Sequence, residues 1–160
     1  MLNTDTMPTR EFQSELWLPL TPRELFLFFA DASNLDAITP PWLHFHIVTP
    51  EPIEMRAGTL IDYQLRVRGL PLRWRTLIRE WQPPLRFVDE QIRGPYRLWI
   101  HEHTFEALDH GTLIRDHVRY TVPFDWLVHR WLVRPDIGKI FQFRAQALRR
   151  RFATGQPIVA

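Results

Sequence analysis

The 160-residue sequence predicts an α+β fold: a curved, seven-stranded antiparallel sheet wrapped around a long C-terminal helix, with two short helices after the first strand. Two patterns carry that prediction. Most of the chain falls into segments that alternate apolar and polar residues between turn signals, and the last third changes to helical spacing. Composition sets the scale: 45% apolar residues beside 24% charged ones is a globular mixture, and a chain of this length closes around one core. One domain is expected over residues 10–153, between a polar, flexible arm at 1–9 and a short tail at 154–160.

The first strand is Arg10 to Leu18, where Phe12, Leu16 and Leu18 share a face. Thr21, Pro22 and Glu24 then supply an N-cap, a first-turn proline and the glutamate of a capping box, opening a short helix that runs into the polar cluster Asp31 to Asn34. Ser33 and Asp36 are candidate caps for a second short helix, ended by Pro40 and Pro41. Six alternating segments follow: Trp42 to Val48, Gly58 to Arg68, Leu72 to Trp81, Phe87 to Ile92, Tyr96 to Glu106 and Thr112 to Val122. Arg93-Gly94-Pro95 and Asp109-His110-Gly111 read as hairpin turns, and Gly69 to Pro71 and Pro83-Pro84 as breaks. Helical spacing of Ile137, Ile140, Phe141, Phe143, Leu148 and Phe152 then gives one amphipathic helix from Asp136 to Phe152. A helical turn or two around Trp126 to Val133 precedes it, with Pro135 marking a break.

Alternation assigns faces, because an antiparallel sheet with one wet side keeps polar residues on it. Ile61, Tyr63, Leu65 and Val67 point inward, as do Leu72, Trp74, Thr76 and Ile78. Trp99, His101, His103 and Phe105 face the helix from the next hairpin, together with Ile114, Asp116, Val118 and Tyr120. The turn near His110 sets Asp116 opposite or diagonal to His103 or Phe105. The strand carrying Asp89, Glu90 and Gln91 has no readable parity.

The stretch from Phe87 to Pro123, entered from the segments at 38–47 and 58–74, resembles the SRPBCC superfamily, the START and birch-pollen-allergen-like group. The likeness covers residues 10 to 152 and rests on Gly94-Pro95-Tyr96, the His101 and His103 pair, Gly111-Thr112 and Asp116. Within that group it is similar to bacterial ligand-binding domains of the polyketide cyclase/dehydrase-like or cell-division-inhibitor-like kind. The resemblance implies a helix-grip fold with a hydrophobic cavity between sheet and long helix. It implies no single reaction, so function rests on the site.

The inward residues Tyr63, Trp74, Thr76, Trp99, His101, His103, Phe105, Asp116, Tyr120 and Phe141 form the candidate ligand-binding set: an apolar lining with a few polar groups, suited to a lipid, isoprenoid, sterol or polyketide. His101 and His103, two apart on a strand and about 7 Å from each other along the chain, are with Asp116 the only inward polar constellation. Three roles stay open for it: a satisfied hydrogen-bond network, the polar end of a binding pocket, or an acid/base pair oriented by Asp116 as in a cyclase or dehydratase. No nucleophile and no second inward carboxylate is legible, which favours binding over catalysis. A non-catalytic interaction protein with a vestigial cavity is the remaining alternative.

Several classes fall away. No cysteine means no disulfide, no thiolate metal site and no cysteine nucleophile. His44-Phe45-His46 is expected to point its histidines outward, and the segment from His101 to Glu106 departs from the metal-binding cupin spacing, so no metal is expected. No glycine-rich phosphate loop implies a nucleotide cofactor. Lys139 is the only lysine among 20 basic residues. Outward Arg66, Arg68, Arg73, Arg75, Arg79, Arg115 and Arg119 alternate with acids and lack stacking aromatics, which excludes nucleic acid but allows a protein partner on the convex face. Arg149 to Arg151 reads as a solvated helix end. With no signal segment and no apolar run of about 18 residues, a cytoplasmic, non-membrane-spanning protein is expected.

Overall fold

A computed structural model describes residues 7–153; the expected tail at 154–160 and most of the expected arm at 1–9 lie outside them. Strand β1 (Arg10–Leu18) leads into helix α1 (Pro22–Ala30), a 3-10 helix (Ala32–Ile38) and a single 3-10 turn (Pro41–Leu43). Then come β2 (His46–Ile47), β3 (Leu60–Val67), β4 (Leu70–Gln82), β5 (Arg86–Arg93), β6 (Leu98–Leu108) and β7 (Gly111–Thr121). The chain ends in α2 (Asp125–Val128), a π-helical turn (His129–Val133) and α3 (Arg134–Phe152). The sheet is antiparallel in the order β1-β7-β6-β5-β4-β3-β2, and its concave face grips α3.

Local chemistry explains these elements. Thr21 and Glu24 close the capping box of α1, each side chain reaching the other's backbone N–H. Arg68 and Gly69 form a two-residue turn with both φ angles positive, so β4 starts at Leu70 rather than after the expected break. Asp109 and His110 make the equivalent turn between β6 and β7. Gly111 serves packing instead: a Cβ there would stand 2.5 Å from the Leu18 carbonyl oxygen and from the Trp17 ring.

Three expectations need correction. Asp31, not Ser33 or Asp36, caps the 3-10 helix by accepting from the Ser33 N–H. The strand expected over 42–48 shrinks to His46–Ile47, because Pro41 starts a 3-10 turn that ends at His44 in the left-handed region. Pro135 does not break the helix. The Arg134 N–H reaches back five residues to the His129 carbonyl, and this wide π turn accommodates the proline, so one helical body of 28 residues runs from Asp125 to Phe152.

Packing then fixes the interior. One core joins β1 and α1 to the end of α3 through Leu16, Leu18, Phe26, Phe28, Leu148 and Phe152; a second joins Val118, Tyr120, Ile137 and Phe141. Register shifts between β4 and β5, at Arg75/Thr76 and Ile78/Glu80, bend the sheet and return Trp81 to the inner face beside Phe26 and Phe87. A third, smaller cluster of Ala32, Ile61 and Ile78 joins the 3-10 helix to β3 and β4, and the space between the clusters stays open.

Candidate functional site

A cavity of about 420 Å³ lies between the inner face of β3 to β6 and helix α3. Most of its wall is apolar. Tyr63, Trp74, Thr76, Trp99, His101, His103 and Phe141 line it, together with Phe29, Ile38, Leu43, Ile61 and Ile137. Three residues of the expected set stand outside that wall: Phe105 packs in the α1 core, Tyr120 packs with Val118 and bonds His129 through its hydroxyl at 2.9 Å, and Asp116 lies behind the histidines.

One charged cluster interrupts the apolar wall, and it is larger than the sequence suggested. Register places His103 opposite Asp116 on β7 and Phe87 on β5, and His101 opposite Asp89. Asp89 therefore points inward and lines the cavity as a second carboxylate beside Asp116. From α3, Arg144 enters the same wall. The imidazole rings sit closer than strand spacing implied: their centroids are 3.7 Å apart, and Phe87 stacks on His103 at 4.0 Å.

Short hydrogen bonds knit the cluster together. His101 Nε2 lies 2.8 Å from Asp116 Oδ1, and His103 Nε2 lies 2.7 Å from Asp89 Oδ2. His103 Nδ1 is also 3.1 Å from Asp116 Oδ1. Burial opposes charge on His103, but hydrogen bonds and charge from Asp116 and Asp89 outweigh it and raise its pKa. Burial and the neighbouring His103 lower that of His101, with the Asp116 bond opposing. Burial would push Asp116 up; the Arg144 charge and the two histidine bonds hold it well below the usual carboxylate range. Asp89 is lowered against the same burial penalty by its bond to His103 and the charges of His101, His103 and Arg144. The cluster thus gathers two carboxylates, a guanidinium and two imidazoles whose pKa values move in opposite directions, with His101 Nε2 donating to Asp116.

Arg144 is mostly buried, and its guanidinium lies over the rings of Phe29 and Phe141 at 5.2 and 5.9 Å. Its Nη2 stands 3.6 Å from Asp116 Oδ1. Its buried Nε–H has no acceptor among the described residues. A donor left unmade in an apolar interior costs about 1–3 kcal/mol, so the position suits an acceptor brought from outside. The signal was present in the helix: Ile137, Phe141, Arg144, Leu148 and Phe152 follow one stripe at intervals of three and four, and the arginine alone breaks it.

Asp89, His101 and His103 each offer one ligand atom, all within 4.8 Å of one another, the donor set of a two-histidine, one-carboxylate metal site. The ring centroids lie 3.7 Å apart with an interplanar angle of 32°. Arg144 Nη2 also sits 3.4 Å from His103 Nδ1, a positive charge beside the donor set. This arrangement suits a proton network better than a cation. His44 and His46 are both exposed, as their spacing implied. Of the arginines expected on the convex face, Arg75 pairs with Asp62, Arg79 with Glu90 and Arg115 with Glu15 and Glu106, whereas Arg68 pairs with Asp136 of α3, and Arg66, Arg73 and Arg119 have no ion-pair partner among the described residues.

A sheet gripping a long helix around a cavity defines a helix-grip protein of the SRPBCC superfamily. Residues 18–149 match the family described as polyketide cyclase/dehydrase and lipid transport, and the chain belongs to that family. The same fold occurs in Ara h 8.0201 (17% identity, 92% of this chain and 99% of that one, TM-score 0.66). It recurs in the major latex-like protein 151 of Panax ginseng (8% identity, 90% and 97%, TM-score 0.68). Protein CV1439 of Chromobacterium violaceum also shares it (15% identity, 89% and 96%, TM-score 0.69). No curated protein sequence matches the chain. No helix among the described residues is long and apolar enough to cross a membrane.

Proposed function

We propose that this protein binds a hydrophobic small molecule between its sheet and α3, with an acceptor oxygen of the ligand, a carbonyl or carboxylate, directed at Arg144. The observation that carries this reading is an apolar volume of about 420 Å³ whose charged cluster includes a buried donor with no partner among the described residues. Small-molecule sites span roughly 300–1,000 Å³ and use few polar groups to orient a mainly apolar ligand. Lipid, isoprenoid and polyketide skeletons carrying one oxygenated end fit both features. Native mass spectrometry with solvent extraction of the purified protein is the test. The expected result is one oxygenated, mainly hydrocarbon molecule per chain, lost in Arg144→Met. A ligand-free protein that takes up no apolar fluorescent probe would overturn it.

A second reading is favoured by one observation, the inward Asp89 opposite His101. A neutral His101 oriented by Asp116, beside a protonated His103 held by Asp89, is an acid and base of unlike pKa in one cavity. Such a pair moves a proton next to a carbonyl, the step that a cyclase or dehydratase needs. His101→Gln separates the readings: a carrier keeps its ligand within a few-fold, whereas an enzyme keeps binding and loses about 10²–10⁴-fold in turnover.

A further inference from the structure

The start of the C-terminal helical body is apolar on its outside. Phe124, Trp126 and Trp131 are 70%, 83% and 71% exposed, and Leu127 and Leu132 are exposed beside them. Five large apolar side chains within nine consecutive residues form a concentration unlike the scattered exposed residues elsewhere. The same turns also reach inward, since Val128 and Val133 line the cavity. Across from them stand Val67 and Leu72 of the β3–β4 hairpin, whose tip carries the exposed Leu70. Arg68 at that tip bonds Asp136 at 2.9 and 3.0 Å, so an ion pair ties the hairpin to the helix beside the cavity wall. The exposed aromatics therefore border the cavity at this end.

Charge around the patch is one-sided. Both acids of the segment are engaged within the chain, Asp125 by Arg10 and Asp136 by Arg68. Arg130, Arg134 and Lys139 are exposed and have no ion-pair partner among the described residues, and Arg130 lies 5.3 Å over the Trp131 ring. Tryptophan and leucine beside arginine is the chemistry of a membrane interface, where rings enter the headgroup boundary and cations meet anionic lipid. We propose that this end of the molecule docks on the surface of an anionic lipid bilayer, placing the cavity against the bilayer. A protein partner is less favoured, because the patch continues into an apolar cavity whose proposed cargo dissolves in lipid rather than water. Docking gives the binding reading above its route of loading.

Co-sedimentation with phosphatidylcholine vesicles, with and without roughly one third phosphatidylglycerol, tests the proposal. Wild-type protein is expected to sediment with the anionic vesicles, less with the neutral ones, and less as salt rises. The double variant W126S/W131S is expected to lose at least about tenfold in partitioning. Its melting temperature and its uptake of 1-anilinonaphthalene-8-sulfonate without vesicles should match the wild type, which separates docking from cavity binding. Failure of probe uptake with intact vesicle binding would sink the cavity reading alone. Absence of vesicle binding in the wild type, or equal binding by the double variant, overturns the docking proposal. So does a wild-type dimer in solution that W126S/W131S abolishes while vesicles go unbound, since the face would then be a protein interface.

Discussion

The cavity wall holds charge where a protein interior is normally apolar, and the beginning of the C-terminal helical body holds tryptophan where a surface is normally polar. The two reversals differ in how they are resolved. Asp89, His101, His103 and Asp116 satisfy one another at 2.7–3.1 Å, and Arg144 is held nearby over two phenylalanine rings. Trp126 and Trp131 sit outside the described core clusters. Stability accordingly depends on the first region, because unpairing a buried ion is expensive, and barely on the second, whose groups already face water.

Removing Asp116 gives the largest expected effect. It partners His101 at 2.8 Å and His103 at 3.1 Å, and faces Arg144, so Asp116→Ala leaves two buried imidazoles short of an acceptor and the guanidinium short of negative charge in the interior. Breaking such an arrangement by deleting one partner costs about 3–5 kcal/mol, readable as a lower urea midpoint at unchanged slope. A loss under about 1 kcal/mol would mean that water already reaches the cluster and that its charges are solvated.

The contrast also marks what the sequence made legible. Alternation placed β3, β4, β6 and β7 correctly because each has one wet face: the inward parity assigned to Tyr63, Trp74, His101, His103 and Asp116 is the one observed. Asp89 was hidden for the opposite reason. Phe87 and Val88 are both buried, and the register shifts against β4 interrupt the alternation, so β5 has no period to read. Arg144 interrupts the apolar stripe of α3 in the sequence itself, but a helix face read from its apolar residues alone passes over the one charge within it. The continuous helix through Pro135 depends on a π turn, for which the residues of the segment carry no signal. The exposed tryptophans were legible as residues but not as surface, since an amphipathic turn does not say whether its partner is the core or another phase.

A second, smaller test uses pH to ask whether the two histidines hold different charges. His103 has a raised folded pKa, so its stabilisation is complete below the unfolded value of about 6.5 and is lost as pH rises through the folded one. His101 is lowered, so folding loses stability as pH falls below about 6.5 and unfolded chains take up the proton. Together they place a maximum near pH 6.5, with slopes of up to about 1.4 kcal/mol per pH unit on each side. The lowered Asp89 and Asp116 contribute stability above about pH 4 and lose it as pH falls through their folded values. His101→Gln should flatten the profile just below pH 6.5 and leave the alkaline limb and the carboxylate limb in place. Urea titrations at a series of pH values decide it, and an unaltered limb below the maximum would show that His101 titrates alike in both states.

The smallest expected effect lies in the second region and completes the comparison. Trp126 is 83% exposed in α2, and Trp131 is 71% exposed in the π turn that follows. Neither is a member of a described core cluster, so truncation leaves no cavity, and alanine has the higher helix propensity. Each of Trp126→Ala and Trp131→Ala is expected to change unfolding free energy by no more than about 0.5 kcal/mol, whereas a buried aromatic cut to alanine costs about 3–5. Phe28→Ala supplies that reference, because Phe28 is 1% exposed within the α1 core. Chemical denaturation of the three variants side by side tests the distinction. If the tryptophan variants lose as much stability as Phe28→Ala, those rings pack within the fold in solution, and the helical start is a closed part of the core instead of an open apolar rim.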